Sequence, residues 1–310
     1  MTKRIVTIGG GSGQPELLRA LKQYPYRLSA IVSMMDNGGS SGILRDEEGV
    51  LPPGDLRRSI TALADESVAA DMSTAWEERD EAGHAAGNIA LVEKTHEFGD
   101  MQLAADWFLQ EAQSEHEAIC STLEPTDLVA DFSDGTRVFG EHEIDVPEAS
   151  RRDPNARIEY LSLEPVVSAA PRAFQAIKSA DAIVLSMGDV FTSVIPVLLL
   201  EGLNEAIADR QALARIPVIA VCNRTTKLGE THGFSMKQLL DTFALYLEPG
   251  ILTHAIVDSY SVPVPETAEA FSVEDMDTPI SISRVDLSDE NNAAVVSGSK
   301  AAKAIHAIVQ

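Results

Sequence analysis

Apolar residues along this chain fall into two kinds of run. Short continuous blocks at 5–8, 28–34, 182–185 and 217–222 show no polar alternation and read as strands buried on both faces. Between them, apolar positions recur at helical spacing. Such stretches cover 15–21, where Pro15 suits a first helical turn, and 56–63, where Asp55 is placed as N-cap. Others cover 103–119, 170–179, 194–207 and 235–247, and a closing helix starts at Ala301. Buried strands alternating with helices predict a Rossmann-like α/β fold, a mostly parallel sheet with helices on both faces. One segment departs from the alternation. Residues 128–132 and 136–139 flank Asp134-Gly135, a hairpin signal, and 158–163 is a further strand after a polar loop at 147–155. The hairpin reads as an insertion around 126–160 in a single domain of residues 1–310, whose part from about 258 is rich in loops.

Composition narrows the function classes. The 310 residues carry 24 Lys and Arg against 48 Asp and Glu, a formal charge of −24, with 45% hydrophobic residues. Nucleic acid is therefore not an expected partner, because binding it relies on neutralising phosphates with Lys and Arg. An anionic small ligand would need a site that is polar or basic against the overall field. Cys120 and Cys222 form no close-spaced pair, which excludes a disulfide scaffold or a Cys-based zinc site and fits a reducing cytoplasm. Lys3 and Arg4 lead into glycines rather than an apolar signal segment. The longest apolar stretch, 194–200, holds Pro196 and is too short for a bilayer. The expectation is a cytoplasmic protein without membrane insertion.

Candidate chemistry sits where strands end. Gly9, Gly10, Gly11, Ser12 and Gly13 follow the first strand; Asp36, Asn37, Gly38, Gly39, Ser40, Ser41 and Gly42 follow the second. A small-residue turn opening a helix presents free N–H groups and the positive end of the helix dipole, which suits phosphate. Two such loops at the carboxyl ends of adjacent strands make a cradle for a nucleotide. The first loop lacks the third glycine of a dinucleotide fingerprint, Glu16 standing in its place, and has no P-loop lysine. Taken alone it is as readily a tight turn. Asp36 occupies the position of a ribose-binding acid, yet the small residues after it point to a second close approach of backbone to ligand. Asp55 is read either as a helix cap or, with Asp36, as a hard-oxygen ligand of Mg²⁺. Of the two arginines after it, Arg57 is the candidate phosphate partner and Arg58 is left to a solvated helix face.

Two later segments also follow strands. Gly188 and Asp189 lead to Thr192 and Ser193, and Asn223, Thr225 and Thr226 lead to Gly229, Glu230 and Thr231. They offer polar contacts to a base or sugar, with a plain loop as the equal alternative in each case. Glu141-His142-Glu143 reads as a solvated turn.

These segments, in this order, resemble the YvcK-like proteins, the gluconeogenesis factors of bacteria, within the superfamily that includes 2-phospholactate transferase, CofD. The resemblance runs through 8–13, 36–45, 51–57, 87–91, 140–141, 192–196 and 223–231, and covers most of residues 4–257. It adds Arg45 and Asn88 to the candidate ligand-binding residues. It implies a Rossmann-like fold holding a nucleotide-containing small molecule. For the YvcK-like branch that molecule is a UDP-sugar, in a regulatory role linked to cell-wall synthesis, cell shape and carbon metabolism. For the CofD branch the activity is a Mg²⁺-dependent phosphotransfer from a guanosine diphosphate carrier to a deazaflavin. A dinucleotide-binding protein is the third reading. Mg²⁺ is the one cofactor expected, without a tightly bound organic one, and a homodimer is compatible with the chain. Three departures stand out. Asn37 replaces a usual second acid, and Asp189 puts a negative charge where the pattern has Gly-Pro-Gly-Ser. The Arg-His-Asp pattern near the C-terminus is absent, with Ser297-Gly298-Ser299-Lys300 nearby.

Overall fold

The computed structural model describes residues 2–272 and 277–310. Among these, the strands are β1 (Lys3–Gly9), β2 (Tyr26–Val32), β3 (Glu117–Cys120), β4 (Asp127–Phe132), β5 (Arg137–Phe139), β6 (Ile158–Glu164), β7 (Ala182–Leu185), β8 (Val218–Val221), β9 (His254–Asp258) and β10 (Ser281–Val285). Seven of them make one sheet in the order β10-β9-β8-β7-β1-β2-β3, every neighbouring pair parallel. β-Branched and small apolar side chains fill β1, β2, β7 and β8, which are buried along nearly their whole length.

Helices cover both faces. Gly13–Leu21 packs with Gly54–Leu63 and Gly298–Val309 on one face, and Pro171–Ser179 pairs with Leu203–Ala214 on the other. The hairpin turns at Asp134 and Gly135 as expected, with Gly135 at φ +84°. β6 joins the far side of β4, so the insertion is a three-stranded antiparallel sheet. Leu128, Leu161 and Leu163 carry it into the same apolar cluster as the main sheet.

Four expectations need correction. The stretch 103–119 is not one helix: Met101–Glu111 ends, Gln113 turns at φ +53°, and the apolar run 118–120 becomes edge strand β3. Gln102 bridges the two, donating to the Ala118 carbonyl at 2.9 Å and accepting from the Cys120 N–H at 2.9 Å. The stretch 194–207 is divided into a π-helical turn Val190–Val194, a helix Ile195–Leu198 and a helix Leu203–Ala214 that starts after Gly202 at φ +80°. The polar loop at 147–155 contains the short helix Pro147–Ser150. The part from 258 supplies β10, and its closing helix starts at Gly298 rather than Ala301. Residues 273–276 of that part lie outside the described residues. No helix among the described residues is long and apolar enough to cross a membrane.

Candidate functional site

The strand order reverses between β1 and β7, and the loops leaving their carboxyl ends part there to open a crevice. A cavity of about 370 Å³ lies in it, with Gly11, Ser12 and Gly13 at its floor. Gly188, Asp189 and Ser193 form one wall and residues 223–227 with Glu230 another. Ser12 opens the helix Gly13–Leu21 without using its side chain as a cap, so no side chain competes there for the first-turn N–H groups. A Cβ on Gly13 would stand 2.0 Å from the Met187 carbonyl oxygen, so only glycine lets the two loops lie this close. The π-helical turn sets Ser193 into the crevice, whereas Thr192 is buried behind it with its hydroxyl turned to Asp145 at 3.3 Å and Glu230 at 3.4 Å. Asn223 donates to the Gly188 carbonyl at 2.7 Å and pins the two walls together. Thr226 lines the cavity but its hydroxyl turns to Glu269 at 2.5 Å.

The second expected loop is largely a helix. Gly38 is extended, and from Gly39 the chain winds into Gly39–Glu48, so Ser40, Ser41 and Gly42 form its first turn. Asp36 folds back to accept the Gly38 N–H at 2.8 Å. A Cβ on Gly54 would lie 2.2 Å from Ser41 Oγ and 3.6 Å from Asp36 Oδ2, so the start of the helix Gly54–Leu63 abuts this turn. Ser40 Oγ lies 3.0 Å from His84 Nδ1 and accepts from Asn88 at 3.1 Å. Asn37 accepts the His142 N–H at 2.7 Å and donates to Glu143 at 2.8 Å. Arg45 pairs with Asp127 at 2.6 Å, joining the helix to the small sheet rather than to the cavity.

Asp55 is not an N-cap; Pro53 holds that position. Its Oδ2 accepts the Gly11 N–H at 2.7 Å and its Oδ1 pairs with Arg58. The loops after β1 and β2 do meet, and the Asp55 carboxylate is what fastens the first of them. A Cβ on Gly10 would fall 2.4 Å from the same Oδ2. Arg57 turns the other way, 3% exposed, to Glu77 at 2.6 Å and the Trp76 carbonyl at 3.3 Å. Arg58 is the arginine near the crevice, and its i,i+3 spacing from Asp55 is the signal that identifies it.

Glu141 and its neighbours are not a solvated turn. They form the helix Glu141–Asp145, held over the Asp36 end by Asn37. Burial first, then Asp36, Asp145, Asp55 and Glu230, push Glu141 up to about 9. Burial and then Asp189 raise Glu230, 1% exposed, to about 8. Burial and Asp55 raise Asp36. Lys227 answers part of this field. Burial alone would lower its pKa, but Glu230, Asp189 and Asp145 raise it instead. Its ammonium pairs with Asp145, with Asp189 at 2.7 Å and with Glu230 at 3.2 Å. The negative charge of Asp189 is thus met within the protein.

The two-aspartate Mg²⁺ arrangement does not fit these residues as they stand. Both Asp55 oxygens are engaged, one by a backbone N–H and one by Arg58. Asp145, Asp189 and Glu230 bring oxygens within 4.8 Å of one another, but Lys227 stands among them.

The raised glutamates set a pH dependence. Each binds its proton more tightly folded than unfolded, so the folded protein holds extra protons between the ordinary value of 4.5 and about 9. Stability is therefore expected to fall as pH rises through that window, and Glu141→Gln to flatten the fall. Urea midpoints at intervals from about pH 5 to about pH 9 check this. An identical slope in the variant would remove Glu141 as its source.

Comparison with known proteins places the chain among relatives. A family model described as 2-phospho-L-lactate transferase CofD matches residues 5–299. The gluconeogenesis factor of Halalkalibacterium halodurans is 32% identical over 90% of this chain and 84% of its own length. That of Listeria monocytogenes is 31% identical over 84% of this chain and 79% of its own. A relative from Nostoc is 39% identical over 75% of this chain, which spans only 50% of that protein. The crystal structure of a Bacillus halodurans member of the UPF0052 family superposes with a TM-score of 0.88 at 28% identity, covering 99% of both chains.

Proposed function

This chain belongs to the CofD family, and from that premise we propose that its crevice binds a UDP-sugar in a regulatory role, without turning it over. One observation carries the reading: a helix start free of side-chain caps at Ser12 and Gly13 faces a carboxylate wall across one cavity. Backbone N–H groups suit a diphosphate. The Asp189 carboxylate, 40% exposed, suits donors, and a sugar ring presents several hydroxyl donors at once. Asn223 offers a polar contact to the base or ribose. The engaged Asp55 and the amide at Asn37 favour binding over metal-assisted transfer. The regulatory role, coupling carbon supply to cell-wall synthesis and cell shape, rests on the resemblance to the YvcK-like proteins, and the relatives' name of gluconeogenesis factor supports its link to carbon metabolism.

The second reading is a Mg²⁺-dependent phosphotransferase of the CofD kind, with Asp36 and Asp55 as ligands. It is favoured by the raised Asp36 beside Asp55, and it requires Arg58 to let go of Asp55.

Thermal melting with a UDP-hexose, with GDP plus Mg²⁺ and with NAD separates the readings. The UDP-hexose alone is expected to stabilise, by about 2.7 kcal/mol at a hundredfold excess over Kd. A shift given only by GDP with Mg²⁺ would transfer the conclusion to the phosphotransferase.

A further inference from the structure

A second cavity, of about 360 Å³, lies at the opposite edge of the main sheet and takes no part in the crevice. Its base is formed by Arg4 of β1, Arg27 and Ser29 of β2, and Glu117 of β3. Its side is the helix Pro171–Ser179, through Arg172 and Gln175. Arg4 stands directly opposite Arg27 in the β1–β2 register, and Ser29 opposite Glu117 in the β2–β3 register. Residues two apart on a strand share a face, so all four look the same way.

Like charges at paired positions on neighbouring strands, here the exposed Arg4 and Arg27, repel each other unless something lies between them. Partners are not scarce in a chain with 48 acids for 24 bases. The nearby carboxylates are nonetheless engaged elsewhere. Glu117 accepts from the Ser29 hydroxyl at 2.7 Å and from Arg172 at 3.3 Å, and Asp106 pairs with Arg172. Asp181 accepts the backbone N–H of Arg4 at 2.8 Å and lies 4.0 Å from Arg210. Among the described residues, the ion pairs include Arg172 and Arg210 but neither Arg4 nor Arg27.

We propose that this cavity is a binding site for a small phosphate-bearing metabolite, its phosphate bridging Arg4 and Arg27. A guanidinium fork takes two oxygens at once. A carboxylate has only two and satisfies one fork, whereas a phosphate monoester has three terminal oxygens and up to two charges, enough for both. Arg172 and Gln175 complete the rim. β1 rises about 20 Å between Arg4 and the glycine loop, so the site is distinct from the crevice.

The test compares thermal melting of the full chain in inorganic phosphate with melting in chloride at equal ionic strength, for the wild type and for Arg4→Gln/Arg27→Gln. Phosphate held in the crevice contributes equally to both proteins, so the difference isolates the arginine cavity. The double variant is expected to bind phosphate there at least about tenfold more weakly. In dilute chloride it is expected to melt no lower than the wild type, because the repulsion is gone. Should the double variant fail to fold, Arg27→Gln alone carries the same comparison. Equal phosphate responses in variant and wild type overturn the site. An equal response of the wild type to malonate overturns the phosphate assignment.

Discussion

Asp258→Ala is expected to destabilise the protein by about 3–5 kcal/mol, the cost of leaving a buried charge without its partner. Asp258, at the end of β9, and Arg224 are both 0% exposed, with Arg224 Nη2 donating to Asp258 Oδ2 at 3.1 Å. The same carboxylate accepts the N–H of Tyr260 at 2.8 Å and of Leu287 at 2.7 Å, so it also gathers the chain beyond β9. Arg224 is covalently next to Asn223, which pins the Gly188 wall. Losing Asp258 is therefore expected to weaken ligand binding as well as stability, although it does not line the crevice cavity. Denaturant unfolding checks the first effect and ligand titration of the folded variant the second. Asp258→Leu combined with Arg224→Met is expected to recover much of the loss, because no lone charge then remains inside. A change below about 1 kcal/mol on Asp258→Ala would mean that water reaches the guanidinium.

Lys227→Met is expected to cost about 2 kcal/mol near pH 8 and clearly less near pH 6. The figure is smaller than for Asp258 because Lys227 is 33% exposed and Asp189 40%. The pH dependence has a definite sign. Without the ammonium, Glu230 holds its proton to still higher pH than its value of about 8. The variant is thus spared at pH 6, where Glu230 is protonated, and penalised where folding must keep that proton or bury a bare carboxylate. Urea midpoints of both proteins at the two pH values test this. A loss independent of pH would assign Lys227 a packing role instead.

Most of the sheet was legible in the sequence because β1, β2, β7 and β8 are continuous apolar runs with no helical gaps. β3 was not. Its apolar residues 118–120 fall in phase with the helix before them, and only the positive φ at Gln113 separates the two. The first turn of Gly39–Glu48 was hidden because glycine and serine are poor helix formers, and its formation is decided by the contacts of Ser41 and Asp36 with Gly54. The glycine loop and the walls at Gly188 and Asn223 line one cavity because each follows the carboxyl end of a parallel strand, a position legible from the apolar runs. The cap reading of Asp55 fails because capping is a local rule, whereas one actual partner, Gly11, is 44 residues away. Glu141 and Asp145 could not be placed from the chain itself, since a three-stranded sheet carries them back over the Asp36 end. Lys227 had a readable signal in its i,i+3 spacing to Glu230, but the involvement of Asp145 and Asp189 is tertiary.

The Lys227 cluster also constrains the order in which such a cleft could evolve. A lysine at 227 facing only Asp145 and Glu230 is already compensated, whatever stands at 189. An aspartate at 189 without that lysine would crowd a third carboxylate against two others, one of them buried. Charge pairing therefore favours a path that acquires Lys227 before Asp189, and makes Asp189 the residue whose loss costs less.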